Sequence, residues 1–424
     1  MSRLFAPVAF SAMVVDPKVQ RPSAAAERSL IVSLLTMTFL LWIGASAIVP
    51  LLPTYLHGHG ASTGLVGVVM ASYFALSVVT QYPAGRLTDR IGARAVIVAG
   101  LAVFVAGSVG FALQSGALPA IAYRSAQGIG AGAASVASAA MVAAHVDPER
   151  RGRAFALLYG SQSLALAVGP LAGGFVGASS MRVLFFGAAG LACAAAAPVL
   201  RALPPQSLRD SSPPASEISA KPRLRGSAYN KALLGALAIF AGTGLLGGLY
   251  ESVWSLLLSS RGATSVEIGL SWTMYCLPFA LLSAPAGRLA DHRSRKVLVV
   301  VGVLTSGLFA LWYPEIHSVA VLVVLGCLDA VGGVLVTPAA LSMLAQWTPS
   351  DRHGAAQGAL ATSRTAATAL AAAGCGALFG VAKILPFAGV ALCLMLLGVV
   401  ALVVWRGLPA RALEASGAIE GPLQ

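Results

Sequence analysis

Twelve long apolar runs constrain this chain more than any other feature of its sequence. A helix needs roughly 20 apolar residues to cross the hydrocarbon core of a bilayer. The chain is 57% hydrophobic and only 10% charged, whereas soluble domains are about 25% charged. We therefore predict an all-α membrane protein with 12 transmembrane helices. The predicted runs are 31–52, 64–85, 95–114, 117–144, 154–177, 182–201, 232–258, 266–286, 297–313, 318–346, 354–381 and 384–405.

A charged segment after the second run, Pro83–Arg94, recurs after the eighth run as Pro285–Lys296. Without a gap, residues 60–94 and 262–296 share ten identities. Such a repeat indicates a duplicated unit, so we predict two pseudo-symmetric six-helix bundles. A segment rich in Pro and Ser between them has the composition of a flexible linker. The predicted organisation is a cytoplasmic tail at 1–30, a first bundle at 31–201, a cytoplasmic linker at 202–231, a second bundle at 232–405 and a cytoplasmic tail at 406–424.

The distribution of Lys and Arg predicts how the chain lies in the membrane. The formal net charge is +13, yet 23 of the 28 basic residues lie in the tails and connections on one side, and three lie on the other. Short basic segments stay in the cytoplasm. We therefore expect a multi-pass protein of the bacterial plasma membrane with both termini in the cytoplasm. Because the charge flanks apolar runs, its expected partner is the lipid bilayer and not a nucleic acid.

The sequence gives little support to metal, disulfide or enzyme chemistry. All five cysteines lie inside apolar runs, and no Cys-x-x-Cys pair is present. This pattern predicts neither a disulfide nor a metal site. Walker A, Gly-x-Ser-x-Gly and His-Glu-x-x-His sequences are also absent. We therefore expect no enzymatic activity, no cofactor and a proton gradient as the source of energy.

The two charged segments carry the pattern Gly-x-Leu-x-Asp-Arg-x-Gly-x-Arg, fully in the first copy and partly in the second, where Ser294 replaces a Gly. With two six-helix halves and a long central loop, this pattern resembles the major facilitator superfamily, and within it the 12-helix drug/proton antiporter group. The resemblance implies secondary active transport by alternating access, with these segments latching a cytoplasmic gate. The implied gate residues are Gly85, Arg86, Asp89, Arg90, Arg94, Gly287, Arg288, Asp291 and Arg295.

The fourth run contains Arg124 and Gln127, followed by Gly128 and Gly132. This stretch is similar to a family motif whose Arg is linked to proton transfer, so the resemblance implies that role for Arg124. An Arg inside a membrane costs about 2.5–3.5 kcal/mol or more, so we expect it to face a cavity or a partner. The two glycines predict a face for close helix packing.

The fifth run contains Gly169, Pro170, Gly173 and Gly174. This stretch resembles the motif that marks antiporters within the family, although Ala165 stands where that motif prefers Gly. Proline lacks an N–H, so Pro170 predicts a bend in the helix. The paired glycines predict tight packing against the eighth helix. General glycine-mediated packing, without a role in antiport, is the alternative interpretation.

Three further charged residues lie within runs: Glu251 in the seventh, Asp329 in the tenth and Arg364 in the eleventh. Their depths, at about 1.5 Å per residue, predict two pairs, Asp329 with Arg364 and Arg124 with Glu251. Burial disfavours a charged carboxyl and a nearby Arg favours it. We therefore predict that Glu251 or Asp329 loads and releases a proton. A static ion pair that fixes helix packing is the alternative.

Four aromatic residues near the seventh and eighth runs, Trp254, Trp272, Tyr275 and Phe279, are candidates for lining a binding site. Anchoring at the membrane interface is the alternative. The runs contain no Asn, whereas sugar and nucleoside carriers need dense hydrogen-bonding groups. We therefore predict proton-coupled efflux of lipophilic drug-like compounds, cationic ones included, by a monomer.

Two other functions stay open at this point. The first is a carrier of a small metabolite, such as a sugar or an organic anion, with Arg124 and Arg364 as ligands of the anion. The second is a membrane sensor or scaffold that uses the same fold without transport. The charged residues within the runs, which include Glu251 and Asp329, favour transport over the second.

Overall fold

The structure, a computed structural model, describes residues 24–113, 116–202, 227–348 and 353–408. Within these residues, twelve helices are long and apolar enough to cross a membrane, which confirms the twelve predicted spans. The first six are α1 (Ala24–Ile48), α2 (Thr63–Ile91), α3 (Ala93–Leu113), α4 (Ala117–His145), α5 (Pro148–Val176) and α6 (Met181–Ala202). The second six are α7 (Ser227–Leu249), α8 (Ser265–His292), α9 (Arg295–Trp312), α10 (Val319–Ala345), α11 (His353–Val381) and α12 (Ile384–Val404).

The parts of the chain between and beyond these helices are short where they are described. Two short helices, Leu52–Gly58 and Ser255–Ser260, prolong α1 and α7. Most of the predicted tails and linker, at 1–23, 203–226 and 409–424, lies outside the described residues.

Several helices extend beyond the apolar run that predicted them. A helix satisfies its backbone hydrogen bonds internally, so it can continue from lipid into the polar interface. Most of the first charged segment, Pro83–Ile91, is therefore the last part of α2 and not a connection. The chain turns at Gly92, whose φ of 89° lies in the region that glycine adopts without strain. We call this end of the bundle, with Pro83–Arg94 and Pro285–Lys296, the motif end, and the other end the far end.

The predicted duplication is visible in how the helices pack. In the first half α4 packs on α2 and α3, α1 packs on α5 and α6, and α3 packs on α6. In the second half α10 packs on α8 and α9, α7 packs on α11 and α12, and α9 packs on α12. Each pair of the first half thus recurs six helices later, which confirms two pseudo-symmetric six-helix bundles.

Single bonds repeat in the same way. The Ser161 hydroxyl donates to the Leu35 carbonyl at 2.9 Å, and the Ser363 hydroxyl donates to the Leu237 carbonyl at 3.2 Å. These bonds join α5 to α1 and α11 to α7, which are equivalent pairs. Since both donors and both acceptors are separated by the same stretch of chain, the repeat extends to individual side chains.

The two halves meet at the far end through glycines. A Cβ built on Gly67 of α2 would lie 2.5 Å from the Ala372 carbonyl of α11, and one built on Gly376 would lie 2.5 Å from the Thr63 carbonyl. Real Cβ atoms do not approach backbone oxygen so closely, so these positions admit only glycine at this helix distance. The far ends of α2 and α11 are therefore closed against each other.

The motif end is open between the halves. One cluster of buried apolar side chains runs through the first half and into the far-end parts of the second, whereas the motif-end core of the second half is a separate cluster. At the motif end α5 buries only the strip with Ala154 and Leu158, and α8 buries only the strip with Ala286 and Ala290. The halves thus enclose a gap that opens at the motif end and closes toward the far end.

Candidate functional site

The closed end of this gap contains Arg124, which lies on α4 and is only 1% exposed. Its guanidinium donates to the Gln127 side-chain oxygen at 3.0 Å, and the Gln127 amide donates to the Ser108 hydroxyl of α3 at 2.9 Å. The Nε of Arg124 is buried and has no hydrogen-bond partner among the described residues. This chain of bonds holds the guanidinium in place and leaves its buried Nε without a partner.

Packing brings Tyr73 of α2 onto the same arginine. The Arg124 guanidinium lies 4.5 Å from the centre of the Tyr73 ring, a cation–π contact. A Cβ built on Gly128 would lie 2.1 Å from the Tyr73 carbonyl, and one built on Gly132 would lie 2.9 Å from the Ser77 hydroxyl. The two glycines therefore do form the predicted close-packing face, and it is α2 that they admit.

Glu251 approaches this cluster from the second half. It lies in a π-helical turn, Tyr250–Trp254, that follows α7, and its Oε2 is buried without a hydrogen-bond partner. Tyr73, Arg124 and Glu251 lie within electrostatic reach of one another. However, no ion pair within 4.0 Å joins Arg124 to Glu251. Arg124 and Glu251 thus face each other across the halves without a closed salt bridge.

Asp329 of α10 is fully buried and belongs to a second cluster. Its Oδ2 accepts hydrogen bonds from the Tyr250 hydroxyl at 2.5 Å and the Tyr313 hydroxyl at 3.2 Å. Its Oδ1 accepts one from the Ser306 hydroxyl at 2.5 Å. Three donors therefore satisfy both oxygens of this carboxyl inside the second half.

The predicted pair of Asp329 with Arg364 is wrong, since the two residues form no ion pair in the structure. Depth alone suggested it, but α10 packs on α8, α9 and α7, whereas α11 packs on α7, α2 and α12. The two side chains therefore project from helices that do not adjoin. The Arg364 side chain forms no hydrogen bond or ion pair with any described residue, and it is exposed although it lies midway along its helix.

Two neighbouring residues of the π-helical turn contact different clusters. Tyr250 bonds Asp329 within the second half, while Glu251 faces Arg124 of the first half. A π turn, which has i→i+5 hydrogen bonds, is rare and is often found at functional sites. Sequence periodicity does not reveal such a turn, which is why Tyr250 was not among the predicted site residues.

Aromatic side chains line a pocket beside Glu251. Trp254, Trp272 and Tyr275, three of the four predicted aromatic candidates, contribute to its wall together with Tyr250, Ser271 and Gly326. The Trp254 indole donates to the Ser271 hydroxyl at 3.1 Å, whereas the Trp272 indole N–H is buried without a partner. Phe279, the fourth candidate, packs on Tyr275 with ring centres 5.7 Å apart. Trp254, Trp272 and Tyr275 thus face a pocket inside the protein. This favours the interpretation that they line a binding site over the interpretation that they anchor the protein at the membrane interface.

The glycines of α5 serve two neighbours. A Cβ built on Gly174 would lie 2.7 Å from the Ser265 carbonyl of α8, as the predicted packing requires. Gly169 and Gly173 instead meet α1, where their Cβ atoms would lie 2.0 Å from the Ser46 hydroxyl and the Ala47 carbonyl. Pro170 lies inside the helix, and its predicted bend stays a prediction.

Backbone carbonyls near Pro170 accept additional side-chain bonds. Ser46 of α1 donates to the Ala165 carbonyl at 3.0 Å, and Thr273 of α8 donates to the Ala167 carbonyl at 2.8 Å. These bonds tie α5 to a helix of each half. Neither donor was recognised from the sequence, because a lone Ser or Thr in an apolar run carries no signal of its partner.

The predicted gate residues lie around the open motif end. Arg86, Asp89, Arg90 and Arg288 are exposed, and Arg86 lies 4.6 Å from the centre of the Tyr82 ring. Arg295 differs, since it is buried and donates to the Gln346 side chain at 2.5 Å. The remaining members are Gly85 and Gly287, each near the end of its helix, Arg94, in the first turn of α3, and Asp291, whose side chain lies outside the described residues. Their role as a latch stays a prediction.

Twelve spanning helices in two repeated halves, with charged residues between them, are the architecture of a membrane transporter. A family model described as Major Facilitator Superfamily matches residues 34–252 and 232–423. The chain belongs to this superfamily, which confirms the resemblance inferred from its motifs.

Known relatives agree with this assignment. The chain is 29% identical over 333 residues to the class B tetracycline resistance protein of Escherichia coli, a match that covers 77% of this chain and 82% of that protein. It is 37% identical over 139 residues to the inner membrane transport protein YajR of Escherichia coli strain K12, covering 32% of this chain and 30% of that protein. A crystal structure of the peptide transporter POT with sulfate has the same fold, with a TM-score of 0.72 at 15% identity over 89% of this chain and 94% of that one.

Proposed function

We propose that this transporter exports lipophilic drug-like compounds in exchange for protons. The motif end, which collects nearly all basic residues, is assigned to the cytoplasm by the positive-inside rule. The open gap then faces the cytoplasm, from which a compound enters. Similarity to a tetracycline resistance protein, along most of both chains, supports efflux as the direction.

The observation that carries the proposal is the surroundings of Glu251. One of its oxygens is buried without a partner, and the opposite charge within its electrostatic reach belongs to Arg124 in the other half. A carboxyl in such a position is strongly stabilised either by binding a proton or by the closer approach of an arginine. Glu251 is therefore the residue that we assign to proton coupling.

Asp329 is the weaker candidate for the same role. Three hydroxyl groups satisfy its two oxygens, and it is shielded from the gap. A proton would have to replace hydrogen bonds that are already formed, whereas at Glu251 it meets an unsatisfied oxygen. We assign Asp329 to holding Tyr250, and with it the turn that presents Glu251.

The exchange follows from these contacts. With Glu251 ionised, attraction to Arg124 draws the halves together around the site. Protonation removes that attraction, so that the halves can separate at one end and close at the other. The compound and the proton then occupy the site in alternation, which is the requirement for antiport.

The proton gradient supplies enough free energy for this task. One pH unit contributes about 1.4 kcal/mol, and 100 mV contributes about 2.3 kcal/mol per charge. Together they sustain roughly a several-hundred-fold gradient of a neutral compound per proton. No nucleotide needs to bind for export to proceed.

Dye transport in proteoliposomes under an imposed pH gradient tests the proposal. We expect the wild type to move a lipophilic dye such as Hoechst 33342 against its gradient, and Glu251→Gln to lose this pH-driven component. Glu315→Gln is the matched control, because Glu315 is exposed at the far end. If Glu251→Gln keeps full pH-driven transport, the assignment of the coupling residue is wrong. Gradient-driven uptake of a sugar by a protein that moves no dye would favour the alternative carrier function.

A further inference from the structure

Two aromatic side chains of α5, Phe155 and Tyr159, lie outside the clusters around Arg124 and Asp329. Phe155 is half-buried and packs against the large core cluster, whereas Tyr159 is 57% exposed. Their ring centres lie 6.3 Å apart and their planes differ by 18°, which is a stacked arrangement. Phe155 thus supports the Tyr159 ring from the side of the core and leaves the rest of that ring open.

The contacts of α5 show which way Tyr159 faces. One strip of the helix, which contains Ala165 and Gly169, packs on α1 of the first half. Another strip, which contains Ala167 and Gly174, packs on α8 of the second half. Successive residues of a helix are rotated by about 100°. Tyr159 therefore projects between the strip on α1 and the strip on α8.

A further strip lies between the same two contacts on the opposite side of α5 and contains Leu164, Val168 and Phe175. These side chains stay exposed up to the far end of the helix, where Phe175 is 72% exposed. The strip of Tyr159 instead continues into Pro170, which is buried. Because the gap between the halves closes toward the far end, the strip that becomes buried there faces the gap. The strip that stays exposed faces lipid.

Tyr159 lies in the open part of the gap. The hydrogen bond from Thr273 of α8 to the Ala167 carbonyl marks a depth at which the two halves are still joined. Tyr159 lies eight residues nearer the motif end, which is about 12 Å at 1.5 Å per residue. A compound that enters at the motif end therefore passes the Tyr159 ring before it reaches the closed end of the gap.

The duplication shows that the two rings are not needed to build the bundle. Counted from the equivalent hydrogen bonds of α5 and α11, Phe155 and Tyr159 correspond to Gln357 and Ala361. Both of these residues of α11 are exposed as well. The repeated fold thus accepts an amide or a methyl group where α5 has rings. An exposed ring that the packing does not require, inside a gap that a compound enters, is suited to bind a flat ligand.

We propose that Tyr159, supported by Phe155, binds the exported compound by stacking and thereby selects planar aromatic compounds. A flat ring buries the most apolar area when it lies parallel to the Tyr159 ring, and aromatic pairs gain further from offset stacking. A saturated compound of the same size offers no flat face. This proposal rests on the function proposed above for the direction of transport. Binding at Tyr159 leaves Glu251, near the closed end, available for the proton.

Equilibrium binding of Hoechst 33342, a dye made of flat aromatic rings, tests the proposal without a gradient. The full-length protein in detergent is titrated and the fluorescence of the dye is followed. We expect Tyr159→Ala to raise the Kd roughly tenfold, the effect of losing one buried ring contact. Tyr159→Phe and Tyr159→Trp keep the ring, so their Kd should stay within about twofold of the wild-type value. The melting temperature checks that each variant is folded.

Competition tests the selection of flat compounds. Acridine and its saturated analogue perhydroacridine share one carbon skeleton, and only acridine is planar and aromatic. We expect acridine to displace Hoechst 33342 from the wild type at a concentration about tenfold lower than perhydroacridine. In Tyr159→Ala this difference should largely disappear. Equal displacement by the two compounds from the wild type would overturn the proposal.

Phe175→Ala is the matched control, because it removes an exposed ring from the lipid-facing strip of the same helix. It should leave the Kd for Hoechst 33342 unchanged. An unchanged Kd in folded Tyr159→Ala, an equal rise in Phe175→Ala, or a wild type that does not bind the dye would each overturn the stacking proposal. If the binding results hold but the wild type moves no dye with the pH gradient, proton-driven export fails while stacking at Tyr159 stands.

Discussion

At the scale of the residue, the two acids of the second half differ in what surrounds them. Asp329 accepts three hydrogen bonds and is fully buried, whereas Glu251 keeps an unsatisfied oxygen near the arginine of the other half. Both stood as candidates for proton coupling on the sequence, because an acid in an apolar run signals a functional position without naming its partners. Their partners come from helices far apart along the chain, so only the packing distinguishes them.

Asp329→Asn tests this distinction through stability. An amide can accept at one atom only, so at least one of the Ser306 and Tyr hydroxyls loses its acceptor, at about 1–3 kcal/mol. We expect a lower melting temperature in detergent, together with dye transport that is still driven by pH. Glu251→Gln should show the opposite combination, with near-normal melting and lost coupling. Loss of coupling in a stably folded Asp329→Asn protein would contradict the roles we assign.

At the scale of the element, the apolar runs predicted all twelve helices, since lipid leaves a spanning segment few alternatives to a helix. The structure of the charged segment after the second run was harder to predict, because nothing in the sequence of Pro83–Ile91 shows that α2 continues through it. The turn at Tyr250–Trp254 was equally hidden, since it interrupts no apolar pattern. The glycines of α5 correctly predicted close helix packing. The sequence did not show, however, that Gly169 and Gly173 pack against α1 while Gly174 packs against α8.

Gly269→Val tests whether the far-end contact of α5 with α8 holds the observed conformation. A Cβ at Gly269 would lie 2.3 Å from the Pro170 carbonyl, so the helices must separate there. We expect the halves to shift toward a form that is open at the far end and closed at the motif end. A protein that keeps only Cys276, which lies near Glu251, should then react more slowly with an impermeant maleimide added at the motif end.

Gly389→Val is the matched control for this experiment, because a Cβ there meets nothing within 4 Å. It should label at the same rate as the Cys276 protein with the native glycine. Unchanged labelling in Gly269→Val would mean that the glycine contact does not set the conformation. The other cysteines replaced for this experiment are Cys193, Cys327, Cys375 and Cys393.

At the scale of the whole molecule, two copies of one bundle meet at the far end and part at the motif end. The duplication was predictable from ten shared residues, and it recurs in the five main helix contacts of each half. The conformation that is open at the motif end was not predictable, because one sequence must support two arrangements of the same halves. An alternating-access transporter needs both arrangements at similar free energy, so neither is encoded by a dominant local signal.

The central claim is exchange of a compound for a proton, and the movement of protons driven by a compound tests it most directly. Proteoliposomes are loaded with dye at equal pH and at zero membrane potential, and the pH on both sides is followed as the dye leaves. The account predicts protons moving in the direction opposite to the dye in the wild type and no such movement with Glu251→Gln. Dye that leaves the wild type without proton movement, or with protons moving alongside it, would contradict antiport.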